Sequence, residues 1–418
     1  MAELWNVCKA RHIQIPARTD TCMDIDTAVV LAAGEGTRLR PLTRNRPKPM
    51  LPAANRPILE HVFDALVEAG VEELVAIVGY KRDRVQNHFG PTYRDVPVTY
   101  VTQNKQLGSG HALLQAREAV DGPTLVLNGD RLIDAGTIEA VARSYTESTG
   151  PAMSVVEEPD TSRYGAVEVR DGDIAKLVEK PREGDYRLIN GGVYAFSDDI
   201  FAAIDETQLQ SGELALTDTL EHRIERERVS AVEVDGMWVD ATYPWDLLTV
   251  AGEVLARGRL TEPFRHNGVW IADSARVHDE AVIQGPVVVS QDCEVGPDAV
   301  VGPNTALGEN VTVGANAVVQ KSVIDADTRV DPGSTLLDTV TGQDVHLGAS
   351  TVVPAGPADV QVGTEIFEDQ RLGAVIADRA RARGNVSFEP GALVGPSAEL
   401  DVGVTVRGTV SEGAEVTR

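Results

Sequence analysis

The chain has 418 residues, enough for two or three domains with sizeable cores, and 42% of them are hydrophobic. Its formal net charge is −26, from 64 Asp plus Glu against 38 Lys plus Arg, of which only seven are lysine. That balance argues against non-specific nucleic-acid binding, which needs a basic face, and no apolar run approaches the roughly 20 residues of a membrane span. An acidic, lysine-poor surface is what halophilic proteins carry, because salt screens the self-repulsion.

Residues 1–22 are near neutral, hold Cys8 and Cys22, and show no clear period. They lack a signal-peptide apolar core, so a cytoplasmic location is expected. Residues 1–26 read as a dispensable N-terminal extension, from a mis-assigned start. Cys8, Cys22 and Cys293 cannot build a disulfide framework and show no metal-ligand spacing.

From Thr27 onward, apolar runs at 27–33 (TAVVLAA), 73–79 (ELVAIVG), 98–101 (VTYV) and 124–129 (TLVLNG) predict buried strands. Between them, 58–70 predicts a helix with Ile58, Val62, Ala65, Leu66 and Ala69 on one stripe. The alternation predicts an α/β domain over 27–260 with a mostly parallel mixed sheet covered on both faces. AMSVVEE, GAVEVR, IAKLVEK and LINGGVYAF add further strands, and a last helix spans 245–257.

The first strand runs into LAAGEGTRLRPLTRNRPKPMLP (31–52), with five cations from Arg38 to Lys48 and no acidic residue among them. Gly34 and Gly36 let the backbone approach a ligand without an intervening Cβ. A glycine turn at a strand's carboxyl end presents N–H groups to phosphate oxygens, and Arg38 and Lys48 add positive charge. No G-K-[ST] closes the loop and the dinucleotide glycine spacing is missing, so it is neither a Walker loop nor a dinucleotide fingerprint.

After the linker TEPFRHNG (261–268) the pattern changes for residues 269–418. Ile271, Val277, Ile283, Val289, Val295, Val301, Leu307, Val313 and Val319 recur every six residues. Four residues after each stands a small or β-branched residue, from Ala275 to Val323, with Gly, Asp, Asn and Pro at the turns between. The period fits short strands joined by turns and stacked as a hexapeptide parallel β-helix. Phe388, Val394, Leu400 and Val406 resume it after an excursion loop near 355–372, and Cys293 falls at a small inward core position.

The order of residues in 31–52 resembles the signature of the sugar-1-phosphate nucleotidyltransferases, the family of glucose-1-phosphate thymidylyltransferase and UDP-sugar pyrophosphorylases. QNKQLGSGHA (103–112), NGD (128–130), VEKP (178–181), NGGVY (190–194) and WVDAT (238–242) follow in that family's order. The resemblance implies a Rossmann-like catalytic domain followed by an all-β left-handed parallel β-helix. It implies Mg²⁺ on Asp130 and Asp240, with Arg38 on the departing pyrophosphate, Lys48 on the phosphates around the reacting centre, and Lys180 on the sugar phosphate. Leu31, Ala32, Ala33, Gly34, Gly36, Thr37, Gln103 and Gly108 would hold the nucleotide. An amide such as that of Gln103 matches the imide edge of uracil or thymine. Gly165, Glu179 and Asn190 would face the sugar, with Tyr164 in the same pocket, and the remaining arginines are assigned to the surface.

The function implied is transfer of a nucleotidyl group from UTP or dTTP to glucose 1-phosphate or N-acetylglucosamine 1-phosphate. The expected assembly is a homo-oligomer, trimer-based through the β-helix, without nucleic-acid or membrane partners. Two alternatives belong beside it: a β-helix that also acetylates an amino-sugar 1-phosphate with acetyl-CoA, and a non-catalytic regulatory or scaffold subunit. For the first, LGAST (347–351) resembles an acetyltransferase segment, but the position expected for its histidine holds Pro332. His346 adjoins the motif and His278 lies too early.

Overall fold

The computed structural model describes residues 25–148, 150–181, 184–209 and 212–418. The expectation for residues 1–26 therefore lies almost wholly outside the described residues, as do Cys8 and Cys22. The first part of the chain is built on a ten-stranded sheet. Strands Val96–Thr102, Glu73–Val78, Thr27–Ala32 and Thr124–Asn128 lie side by side in parallel, in that spatial order. Leu188–Phe196 joins them antiparallel, followed by Ala152–Glu157 and the outer strands. The near-continuous apolar character of the central strands follows from helices packing on both faces, with Ile58–Glu68 and Ala135–Ser148 on one and Ser109–Leu114 and Asp199–Glu206 on the other.

A separate two-stranded pairing matters most for the site. Trp238–Asp240 runs antiparallel to Arg131–Ile133, with Asp240 opposite Arg131. Two carboxylates more than a hundred residues apart in the chain, at positions 130 and 240, are thereby brought to neighbouring places.

From Val269 the chain winds into a parallel β-helix with three strands per coil, forming sheets of nine, eight and seven strands. The inward residues of the hexad pattern, Cys293 among them, make one continuous core. Cys293 is fully buried, and burial pushes its thiol up to about 12. Early coils pair residues eighteen apart, such as Val277 with Val295 and Val295 with Val313. Middle coils pair residues seventeen apart, such as Val313 with Val330 and Val330 with Leu347, before the spacing of eighteen returns with Ala374 and Ala392. The strict period of six therefore stops at Val319. Corner residues with positive φ fall at Asp298, Asn304, Asn310 and Asn316, then five residues on at Lys321. Asn and Asp tolerate this left-handed conformation better than other non-glycine residues. The excursion is a β-hairpin, Ala358–Val362 with Glu365–Gln370.

The three faces of the β-helix differ. The nine-stranded face turns Val288, Ala306, Val323, Val340 and Val375 toward the first domain, where helix Asp246–Arg257 lies across them through Leu247, Val250, Ala251, Val254 and Leu255. The eight-stranded face carries Arg276, Glu294, Arg329, His346, Arg381 and Glu399 in register. The seven-stranded face carries the outward ladder Val282, Val300, Val318, Thr335 and Val352.

Candidate active site

The glycine loop folds back over the strand end through three short 3-10 turns, Thr37–Leu39, Leu42–Arg44 and Lys48–Met50. Gly36 sits at φ +68°, and a Cβ there would stand 2.8 Å from the Lys48 Cβ. Glycine is thus what lets the two limbs of the loop cross. The Thr43 hydroxyl donates to the Gly36 carbonyl at 2.8 Å and closes the turn.

Lys48 reaches from this loop to the two carboxylates. Its Nζ lies 2.7 Å from Asp130 Oδ2 and 3.3 Å from Asp240 Oδ1. Burial opposes charge on this ammonium, yet the attraction of Asp130 and Asp240 outweighs it and holds the pKa above the ordinary lysine value. Burial likewise opposes ionisation of Asp240, and Lys48, Arg131 and the Thr242 hydroxyl, which donates at 2.6 Å, hold its carboxyl below the usual range. Arg131 completes the cluster. Its guanidinium donates to the Asn190 carbonyl at 3.0 Å and lies 5.4 Å from the Trp238 ring centroid.

Beside this cluster opens a cavity of about 370 Å³ lined by Leu31, Ala32, Ala33, Gly34, Lys48, Gln103, Gly108, Asp130 and Arg131, among others. Gln103 is buried, and its Nε2 donates to the Gly108 carbonyl at 3.1 Å. Gly108 has φ +101°, and any Cβ there would meet the Leu214 carbonyl oxygen at 2.5 Å. This strand-like contact between 107–110 and 214–216 forms the cavity wall.

Other expected residues lie apart from it. Thr37 and Arg38 line a second cleft of about 670 Å³, between the glycine loop, the 358–370 hairpin and the last coils. Lys180 is exposed, with Nζ 3.5 Å from Glu179 Oε1, at the edge of the hairpin that begins at Gly165. Asn190 is buried, its Nδ2 donating to the Tyr194 hydroxyl at 2.7 Å and its Oδ1 accepting from the Gly192 N–H at 3.0 Å. Tyr164 packs edge-on against Trp238.

Residues 27–257, more than half of the chain, match the family described as Nucleotidyl transferase, and residues 283–380 match the GMPPB C-terminal domain. The chain belongs to the nucleotidyl transferase family. The bifunctional protein GlmU of Methanococcus maripaludis is 33% identical over 389 residues, covering 89% of this chain and 92% of that protein. The UTP–glucose-1-phosphate uridylyltransferase AglF of Haloferax volcanii is 40% identical over 225 residues, 52% of this chain and 92% of its own length. In fold, a UDP-glucose pyrophosphorylase complexed with UDP-glucose superposes with a TM-score of 0.52 at 24% identity, over 56% of this chain and 99% of that one. The protein is a sugar-1-phosphate nucleotidyltransferase with a parallel β-helix after its catalytic domain. The Haloferax relative agrees with the salt-adapted composition.

Sequence reasoning sent the other arginines of this transferase to the surface, and Arg223, Arg46, Arg131 and Arg56, the last held by Glu60 and Asp64, correct it. Arg223 is buried on Asp199 and Glu227, and Arg46 is buried in the seam with the β-helix. Arg131 stands half-buried beside the two site carboxylates, opposite Asp240 in the strand pairing. Its place directly after the NGD motif, at the head of a strand, was the one available signal. No signal pointed to Arg46, because both of its partners lie far along the chain. Among the described residues no helix is long and apolar enough to cross a membrane.

Proposed function

We propose that this transferase joins UTP or dTTP to a hexose 1-phosphate, glucose 1-phosphate or N-acetylglucosamine 1-phosphate, and releases pyrophosphate in the cytoplasm. The observation that carries the reading is the Lys48 ammonium shared by Asp130 and Asp240 at the mouth of the glycine loop. A catalytically dead regulatory subunit would have no need of that constellation. UTP with glucose 1-phosphate is the favoured pair, from the likeness to the uridylyltransferase.

In the proposed reaction a phosphate oxygen of the sugar attacks the α-phosphorus. The bond from that phosphorus to the β-phosphate's bridging oxygen breaks, and pyrophosphate leaves with the electron pair. No general base is required, because a phosphate monoester is largely dianionic near neutrality, with a second pKa of about 6. Catalysis is then mostly positioning and charge neutralisation.

Asp130 and Asp240, two acceptor-only carboxylates already converging on one cation, fit a divalent ion, Mg²⁺ in this reading, with substrate phosphates supplying further oxygens. When bound it supplies Lewis-acid stabilisation of the charge on the phosphates. Lys48 contributes a second positive group beside it. Arg38 is exposed at the second cleft and makes no ion pair among the described residues; in this reading it turns toward the cavity to take the pyrophosphate. Lys180 is equally exposed for the sugar phosphate, beside Glu179, Gly165 and Asn190. Gln103 donates through Nε2 within the protein, which leaves its amide oxygen to accept the imide N–H of a pyrimidine. A pyrophosphate-release screen of four nucleoside triphosphates against several sugar 1-phosphates, at molar potassium chloride with Mg²⁺, tests the reading. Release confined to UTP or dTTP with a hexose 1-phosphate is expected; release with none of them refutes it.

The β-helix is read first as an oligomerisation scaffold, giving a trimer. Its seven-stranded face supports this: Val282 and Val352 are 46% and 41% exposed on a β-branched stretch that runs from Val282 to Val352 before turning polar at Ser387 and Thr405, whereas the other two faces are covered or charged. One observation favours a second reading, acetyl transfer from acetyl-CoA. His346 Nε2 lies 2.9 Å from Asp331 Oδ2 beside LGAST, the pairing that orients an imidazole base. Coenzyme A release on glucosamine 1-phosphate would establish it, and its absence across a range of salt would exclude it.

A further inference from the structure

The two chain segments that supply Lys48 and Asp240 are each gripped by the β-helix within a few residues of the functional group. On the first segment the grip is ionic. Arg46, 3% exposed, donates to Asp378 Oδ1 at 3.1 Å and pairs with Asp325 Oδ2 at 2.5 Å. Both carboxylates are fixed on β-helix turns, Asp378 accepting from the Gln343 N–H at 3.0 Å and Asp325 from the Ala326 N–H at 2.8 Å. Only Pro47, at φ −74°, separates Arg46 from Lys48. Proline fixes that angle, so holding the guanidinium holds the root of the Lys48 side chain.

On the second segment the grip is aromatic. Tyr243 and Trp245 stack at 4.9 Å just after Asp240, and Phe367 from the excursion hairpin packs on both, at 4.5 and 5.4 Å. The Asp246 carboxylate accepts from the Thr242 and Tyr243 N–H groups at 2.9 and 2.7 Å, which stiffens the turn between Asp240 and this cluster.

We infer that the β-helix is a working part of the nucleotidyl-transfer site, with Asp325, Asp378 and Phe367 as positioning residues for Lys48 and Asp240. The inference rests on the transfer reading of that site. Energetics favour it over a purely structural role. One buried arginine between two carboxylates leaves an excess negative charge in a seam that is apolar but for this link and the Asn55–Ser290–Glu262 contact, and well-packed hydrophobic residues would serve stability as well or better. What the ionic link adds is a defined direction for the loop. Shifts of about 1 Å at a reacting centre are enough to cost on the order of 100-fold in rate.

The test compares Asp378→Asn, Phe367→Ala and the two combined with Val254→Ala, which thins the same seam from a helix position outside both segments. Pyrophosphate release and hydrogen–deuterium exchange are measured on the full chain at molar potassium chloride. For the combined variant kcat is expected to fall by about 10- to 100-fold with KM for both substrates little changed. Exchange should rise in peptides covering 40–50 and 240–246 and stay unchanged in the β-helix coils. Phe367 is on a half-exposed hairpin, so its variant folds even if the buried aspartate does not tolerate change. Wild-type kcat in both single variants, an equal loss in Val254→Ala, or unaltered exchange in those two peptides overturns the inference. A wild-type chain inactive on every substrate would instead remove the transfer reading, and the exchange comparison would still decide whether the β-helix holds the two segments.

Discussion

Single residues in this protein are read best through what their neighbours do to their charge. His61 is the plainest case. It is buried in helix Ile58–Glu68, its Nε2 donates to the Ala53 carbonyl at 3.1 Å, and Arg56 lies 3.4 Å from its Nδ1. Burial first, and the Arg56 charge second, lower its pKa from the ordinary 6.5 to about 4. The unfolded chain therefore binds a proton between those values that the folded chain refuses, and stability present above pH 6.5 is lost as pH falls toward 4. The loss from this one group is on the order of 3 kcal/mol. Denaturant unfolding of His61→Gln from pH 7 to 4 should show a shallower decline than wild type; parallel declines would show that the imidazole charges freely in the folded state. Residue-level reading from sequence had the same strength and weakness. Asp130 and Asp240 are legible because each ends or follows a strand inside a motif of distinctive order, and Lys48 because it stands in the glycine-loop signature itself. The five cations of the glycine loop look equivalent in sequence, yet they divide among an exposed pair (Arg38 and Arg44), an ion pair with Glu35 (Arg40), the seam (Arg46) and the site (Lys48). Nothing local distinguishes them, because their partners are set by tertiary contacts.

At the scale of elements, periodicity decided what could be seen. The six-residue repeat identifies the β-helix outright, since its inward position admits only apolar or small side chains. It also loses the register where a coil shortens, between Asn316 and Lys321, because a missing turn residue breaks the count without changing the fold. The excursion near 355–372 is a hairpin with a functional-looking contact at Phe367, which composition alone presents only as an interruption. Which face is covered is likewise invisible until the faces are set side by side. The ladder Val282–Val300–Val318–Thr335–Val352 then becomes a prediction. Val318→Asp points outward, leaves the core untouched and puts a charge in the proposed trimer contact, where an unpaired buried carboxylate is strongly unfavourable. Light scattering after size-exclusion chromatography should show the variant as monomer where wild type is trimer. A variant as large as wild type would mean that subunits meet elsewhere.

For the whole molecule, the sequence shows two domains and a sign of charge but not the seam that joins them. That seam is built from Leu39, Leu42 and Leu51 beside the glycine loop, the last helix of the catalytic domain and the nine-stranded face of the β-helix. None of these apolar residues differs in kind from core residues of one domain, so their partnership emerges only in three dimensions. The net charge of −26 sets the conditions under which the molecule must be assayed. Molar salt screens self-repulsion over distances beyond about 3 Å, so folding and activity are expected to strengthen with potassium chloride. Under those conditions the central claim, that Lys48, Asp130 and Asp240 converge on one metal-bound triphosphate, has a direct test. Pyrophosphate release from UTP and glucose 1-phosphate is followed for wild type and Asp240→Asn across a Mg²⁺ titration, with circular dichroism to show that both are folded. Removing one of the two carboxylates proposed to hold the metal should lower kcat by at least about 100-fold and raise the Mg²⁺ requirement. A folded Asp240→Asn chain that turns over at the wild-type rate with the wild-type Mg²⁺ dependence would contradict the account.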